Sequence, residues 1–185
     1  MATISFSGTP SASTSYGFGS MTLPTPQSAR EKVRAAAAYG IKNTISQANG
    51  YFNDIGEVNV QEIEFAHRKA FPSIDLLWGD EIYQNTVPGS NTTHLYEKVA
   101  DLWIEAWLDD YDDMTLEKEK LIADIEKYFG TNYWIPDASG NRTAFNCMLA
   151  RNAHFGQRDN TPKGGVSLLL KVYYRTPFTN PNTLA

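Results

Sequence analysis

What this chain of 185 residues lacks already narrows its chemistry. It has one cysteine, Cys147, so no disulfide framework or cysteine-based zinc site can form within one copy. That count is consistent with a reducing compartment, and the lone thiol reads as a small buried apolar group. No run approaches the roughly 18 apolar residues that cross a bilayer, and residues 1–19 lack the basic head and apolar centre of a secretory signal. Basic charge is not in excess: 16 Lys and Arg stand against 21 Asp and Glu, for a net charge of −5. Primary nucleic-acid binders need a basic surface that displaces counterions, so this balance argues against that class. Histidine is scarce, and His67, His94 and His154 show no i, i+4 zinc spacing. There is no Gly-x-Ser-x-Gly elbow, and Gly17-Phe18-Gly19 and Gly164-Gly165 lack the Lys-Ser/Thr of a phosphate loop. The expectation is a protein with no catalytic residues, no cofactor and no metal.

What is present is a 42% hydrophobic chain with 12% aromatic residues, enough for one core and too short for two comfortable ones. Residues 1–27 are dense in Ser, Thr, Gly and Pro and read as a flexible arm, with Phe6, Tyr16 and Phe18 as anchors against a neighbouring subunit if it orders. Residues 28–177 form the single domain and 178–185 an irregular tail. Ser28 and Glu31 have the spacing of a capping box, and Val33, Ala37, Ile41 and Ile45 recur as a helical stripe that Asn49-Gly50 would stop. Residues 57–67 and 73–83 read as strands around Pro72, the first with a parity change that implies a bulge or break. Residues 85–93 read as a loop. Residues 93–108 fit two patterns. Ala100, Leu102, Ile104, Ala106 and Leu108 share a strand face, while Leu95, Val99, Leu102, Trp103, Ala106 and Trp107 share a helical stripe. The alternating Trp103 and Trp107 favour a strand over 99–108.

A second helix is expected over 114–129, stopped by Gly130. Residues 131–141 read as a loop with exposed aromatics. Residues 143–159 and 166–175 then form a hairpin about a turn at 161–165. In its second strand Val166, Leu168, Leu170, Val172 and Tyr174 share an apolar face. Helices segregated to one face of a mostly antiparallel sheet make an α+β two-layer sandwich.

Two clusters invite a chemical reading. Asp109, Asp110, Asp112 and Asp113 offer hard oxygen ligands, but the glycine turn and distant glutamate of a calcium loop are missing. Acidic residues ahead of a helix also cap it and complement its dipole, through Asp112 or Asp113. Lys163-Gly164-Gly165 reads as a hairpin turn that could double as a docking tip with Arg158 and Arg151 nearby. Tyr133 and Trp134 are too large and too many, beside Trp78, Trp103, Trp107, Tyr173 and Tyr174, for one small core. Aromatics of this kind are favoured at interfaces. Tyr133, Trp134, Arg158 and Lys163 are therefore the candidate partner contacts.

The order of elements, closing on Val172-Tyr173-Tyr174-Arg175-Thr176-Pro177, resembles the tail terminator proteins of long-tailed bacteriophages over residues 28–177. The resemblance implies a non-enzymatic virion protein that forms a ring, commonly hexameric, between the tail tube and the neck. Its partners would be copies of itself, the tail tube protein and a neck or stopper protein, with DNA passing through the channel without specific binding and no membrane involved. An acidic conduit suits that passage, because phosphates would not be held. Another neck or minor tail protein, a small metal-dependent enzyme built on the aspartates and one histidine, and a domain that binds a peptide along an exposed strand are the competing readings.

Overall fold

The computed structural model describes residues 28–88, 94–109, 113–155, 163–180 and 182–185; the expected arm at 1–27 lies outside them. The elements in chain order are α1 (Ala29–Thr44), β1 (Glu57–Asn59), β2 (Ser73–Pro88), β3 (His94–Asp109), α2 (Met114–Thr131), β4 (Asn146–Phe155) and β5 (Lys163–Pro177). The five strands form one sheet in the order β1-β2-β3-β5-β4, with β1 parallel to β2 and every other pair antiparallel. This is the expected α+β class.

From His94 on, the doubly patterned stretch is strand. β3 is central, paired along its length to β2 on one side and β5 on the other, so its period-two stripe is the one that is buried. Ala100, Leu102, Ile104, Ala106 and Leu108 are wholly buried. The register sets them in rows across the sheet, such as Leu76–Ile104–Leu168 and Leu102–Leu170–Leu149. Val33, Ala37 and Ile41 of α1 and Leu121, Ile122 and Ile125 of α2 close over that face in the same core. The opposite, outer face carries the odd-numbered residues of β3 and β5.

α1 starts where the sequence says, with the Ser28 hydroxyl accepting from the Glu31 amide at 3.2 Å. The Glu31 carboxylate does not complete the box; it pairs with Arg34. The helix ends at Thr44, before the expected stop. Ile45 turns extended, and Gly50, at φ 78°, closes a separate short turn over Gln47–Asn49.

Other boundaries also move. Of residues 57–67 only Glu57–Asn59 is strand, and Phe65–His67 is a 3-10 turn, so the parity change marks a break. β2 runs on to Pro88, taking the first residues of the expected loop; 89–93 lie outside the description. α2 passes through Gly130, where a Cβ would meet nothing, and stops at Asn132. β5 begins at Lys163, so Lys163-Gly164-Gly165 are strand residues paired with Asp109, Leu108 and Trp107 and not a turn. A Cβ at Gly164 would stand 2.8 Å from Lys118 Cε, so glycine there lets α2 lie close on β5. The tail is not loose: the Ala185 amide donates to Arg175 O at 3.0 Å, and Leu184 packs on the core.

Candidate functional site

The outer sheet face is the surface on which the chemistry-bearing residues collect. At one end, residues 60–71 cross it. Arg68 reaches down to the sheet, donating to Asp75 Oδ1 at 2.9 Å, Ser73 Oγ at 2.7 Å and Ile63 O at 2.6 Å. The Arg68 and Asp75 side chains are wholly buried. The guanidinium lies 4.8 Å over Trp107, and Phe65 packs on Phe71 and Trp107 at 5.2 and 5.6 Å. Next to this lock, burial pushes the Glu105 carboxyl above its ordinary range. The Asp75 and Glu62 carboxylates add to the rise and Arg68 opposes it.

Across the middle of the face, Lys171 Nζ pairs with Asp101 Oδ1 at 2.9 Å and Arg175 Nε with Glu97 Oε1 at 2.9 Å. Beyond Arg175 stands Phe145, whose ring lies 4.6 Å beneath the guanidinium and 6.1 Å from Tyr173. Phe145 closes the loop that carries Tyr133 and Trp134. Their rings meet edge to face at 4.8 Å, Tyr133 is 44% exposed, and Arg142 sits 5.7 Å over Trp134.

That loop is built stiff. Ile135 is fully buried at φ 46°, an uncommon conformation for a β-branched residue. Trp134 O accepts from the Ala144 amide at 3.0 Å, and Ile135 O from the Thr143 hydroxyl at 2.6 Å. Burial alone would raise the Asp137 carboxyl. Hydrogen bonds from Asn141, Ser139 and Gly140 outweigh it and hold the group below the ordinary range.

The four candidate contacts are not gathered in one place. Tyr133 and Trp134 lie at the end of the sheet where β4 begins opposite Tyr173. The Lys163 backbone lies at the other end, opposite Asp109, and Arg158 is outside the described residues. Arg151 is not at the hairpin tip but within β4, facing Leu169. Asp113 caps α2, its Oδ1 accepting from the Leu116 amide at 3.0 Å, while Asp110 and Asp112 lie outside the description. Among the described residues no group of three His, Cys, Asp or Glu is arranged to hold a metal, and no helix is long and apolar enough to cross a membrane.

Sequence reasoning did not single out several exposed apolar side chains: Ile82 (63%), Phe52 (59%), Tyr83 (58%) and Met148 (50%). Met148 lies in the strand expected over 143–159. Nothing local marked the other three.

Large apolar side chains exposed on β2, on β4 and after α1, together with a stiff aromatic loop, give a surface of the kind that suits contact with other proteins. Residues 27–142 match the bacteriophage tail tube terminator proteins, and the chain belongs to that family. A solved structure of the sheath/tube terminator of an extracellular contractile injection system, PVC, in its extended state is similar, with a TM-score of 0.43 and 10% identity. The match covers 83% of this chain but 60% of that one. No curated protein matches the sequence.

Proposed function

We propose that copies of this chain close into a ring, hexameric in its finished form, that caps the tail tube, joins it to the neck and leaves a channel for DNA. Membership of the tube terminator family carries this reading. The action is geometric. A heterologous contact repeated around a closing rotation gives a finite ring, and a face matched to the last tube layer ends polymerisation. No covalent bond is made or broken, no cofactor is used, and the net charge of −5 lets DNA pass without being held. Tyr133 and Trp134 at one end of the sheet, Lys163 at the other, and Arg158 are contact residues for different neighbours.

Native mass measurement of the full chain, alone and with polymerising tube protein, tests the proposal. A closed multiple of the 20.7 kDa subunit, formed alone or on meeting the tube and arresting its growth, is the expected result. A protein that stays monomeric with tube present and leaves tube length unchanged would overturn it.

A further inference from the structure

One edge of the sheet is open. β1, at the far edge, is three residues long, whereas β4 offers ten residues, Asn146–Phe155, whose outer side pairs with no strand among the described residues. Edges of this length usually find a partner or are blunted. A register shift between Leu149 and Arg151 interrupts the β4 ladder. There an open cleft of about 270 Å³ lies between β4 and α2, lined by Glu126, Leu149, Ala150, Arg151 and Leu168. On the outer side of the same strand Met148 is half exposed.

The chain carries a segment suited to that edge. Ala2, Ile4 and Phe6 alternate with Thr3, Ser5 and Ser7, which is the period-two pattern of a strand with one apolar side. Residues 1–27 hold no charged residue, so nothing in them opposes docking on an acidic protein. Ser28 begins α1 beside β2, where Arg30 Nη2 donates to Gly79 O at 2.6 Å, on the other side of the sheet from β4. The 20 residues between Ser7 and Ser28 reach about 70 Å when extended, far enough for a neighbouring subunit's edge.

We propose that residues 2–7 of one copy add a sixth strand to β4 of the next. Ile4 or Phe6 would enter the cleft, with Ser5 on the outer side near Met148. Main-chain hydrogen bonds would supply the affinity and the cleft the register. This rests on the ring reading and gives it a link between neighbours.

Two full-length proteins test it, each also carrying Cys147→Ser: one with Ser5→Cys, the other with Met148→Cys and a distinguishable mass. Mixed and oxidised, they are expected to yield a disulfide-linked pair of unlike chains. Hydrogen exchange on the Ser5→Pro variant is expected to show β4 amides exchanging at least tenfold faster than in the parent, with Ser5→Thr unchanged. If the mixture gives no unlike pair while a third protein carrying both Ser5→Cys and Met148→Cys closes a disulfide within its own chain, the exchange between copies is overturned. Rings of full mass whose β4 exchange ignores Ser5→Pro overturn the added strand and leave the ring standing. A parent protein that stays monomeric even with tube removes the ring, and this inference with it.

Discussion

Arg68 and Asp75 show how much one buried pair can carry. Both side chains are wholly out of water, and the geometry repays their desolvation. Arg68 donates to both carboxylate oxygens, to Ser73 and to Ile63 O, and Asn59 Nδ2 donates to Asp75 Oδ1 at 3.0 Å. Removing one partner strands the other, which typically costs about 3–5 kcal/mol. Asp75→Ala should therefore lower the unfolding free energy in urea by about that amount. The apolar double variant Arg68→Met with Asp75→Leu should recover most of it, and equal losses in both proteins would show that the pair is not what matters. Glu105, nearby, makes the opposite kind of contribution. Burial first, then Asp75 and Glu62, raise its folded pKa above the unfolded value. Whatever stability its protonated form supplies is complete below the unfolded pKa and is lost as pH rises through the folded one. Glu105→Gln cannot ionise, so it should melt higher than the parent at pH 7, with an advantage that shrinks as pH falls through the carboxylate range. A difference in melting temperature that is constant from pH 7 to pH 4 would remove this account.

Where the two helices meet, a glycine that looks like a flaw turns out to be required. Gly40 costs α1 about 1 kcal/mol of helix propensity relative to alanine, yet a Cβ there would lie 1.6 Å from the Tyr128 hydroxyl of α2. Overpacking of this kind costs about 1–3 kcal/mol, so Gly40→Ala should destabilise the protein despite the better helix former. The Tyr128 hydroxyl is buried without a hydrogen-bond partner among the described residues, and burial pushes its pKa up. Tyr128→Phe should therefore gain about 1 kcal/mol by itself and recover part of the Gly40→Ala loss. Strictly additive effects in a double-mutant cycle would show that the helices do not meet there. The stripes of both helices, the Ser28 cap and the alternating face of β5 were legible in the sequence because each is set by neighbours a few residues away. Contacts made across the fold were not. Nothing near Gly40 announces Tyr128, and nothing between Arg68 and Asp75 announces their pairing. The strand character of 94–109 was settled by β2 and β5 on its two sides. Gly130 misled because a glycine in a helix can also be tolerated where no cap is made. Tyr133 and Trp134 were legible as surface aromatics, but the buried Ile135 that stiffens their loop was not.

At the scale of the molecule, the fold separates a face that must stay dry from surfaces free to meet partners, and variants on the two should fail differently. Leu170 is wholly buried in the row between Leu102 and Leu149. An aspartate there would put an unpaired carboxylate into the core at a cost of several kcal/mol. Leu170→Asp should therefore give insoluble or unfolded protein by circular dichroism, and a soluble, normally assembling variant would refute that burial. Tyr133 and Trp134 stand on a loop whose shape is held from beneath by Ile135, Thr143 and Asp137. Truncating the two rings removes the Arg142–Trp134 contact but none of the hydrogen bonds that hold the loop, and surface changes of this kind usually stay within about 0.5 kcal/mol. If these rings are contacts, as proposed, Tyr133→Ala with Trp134→Ala should leave the melting temperature nearly unchanged. It should also weaken binding to tube or neighbouring subunit at least tenfold, since interface aromatics commonly contribute about 2 kcal/mol or more each. A double variant that melts normally and still arrests tube growth at the parent's concentration would move the contact to another part of the surface. The open β4 edge would then be the place to look.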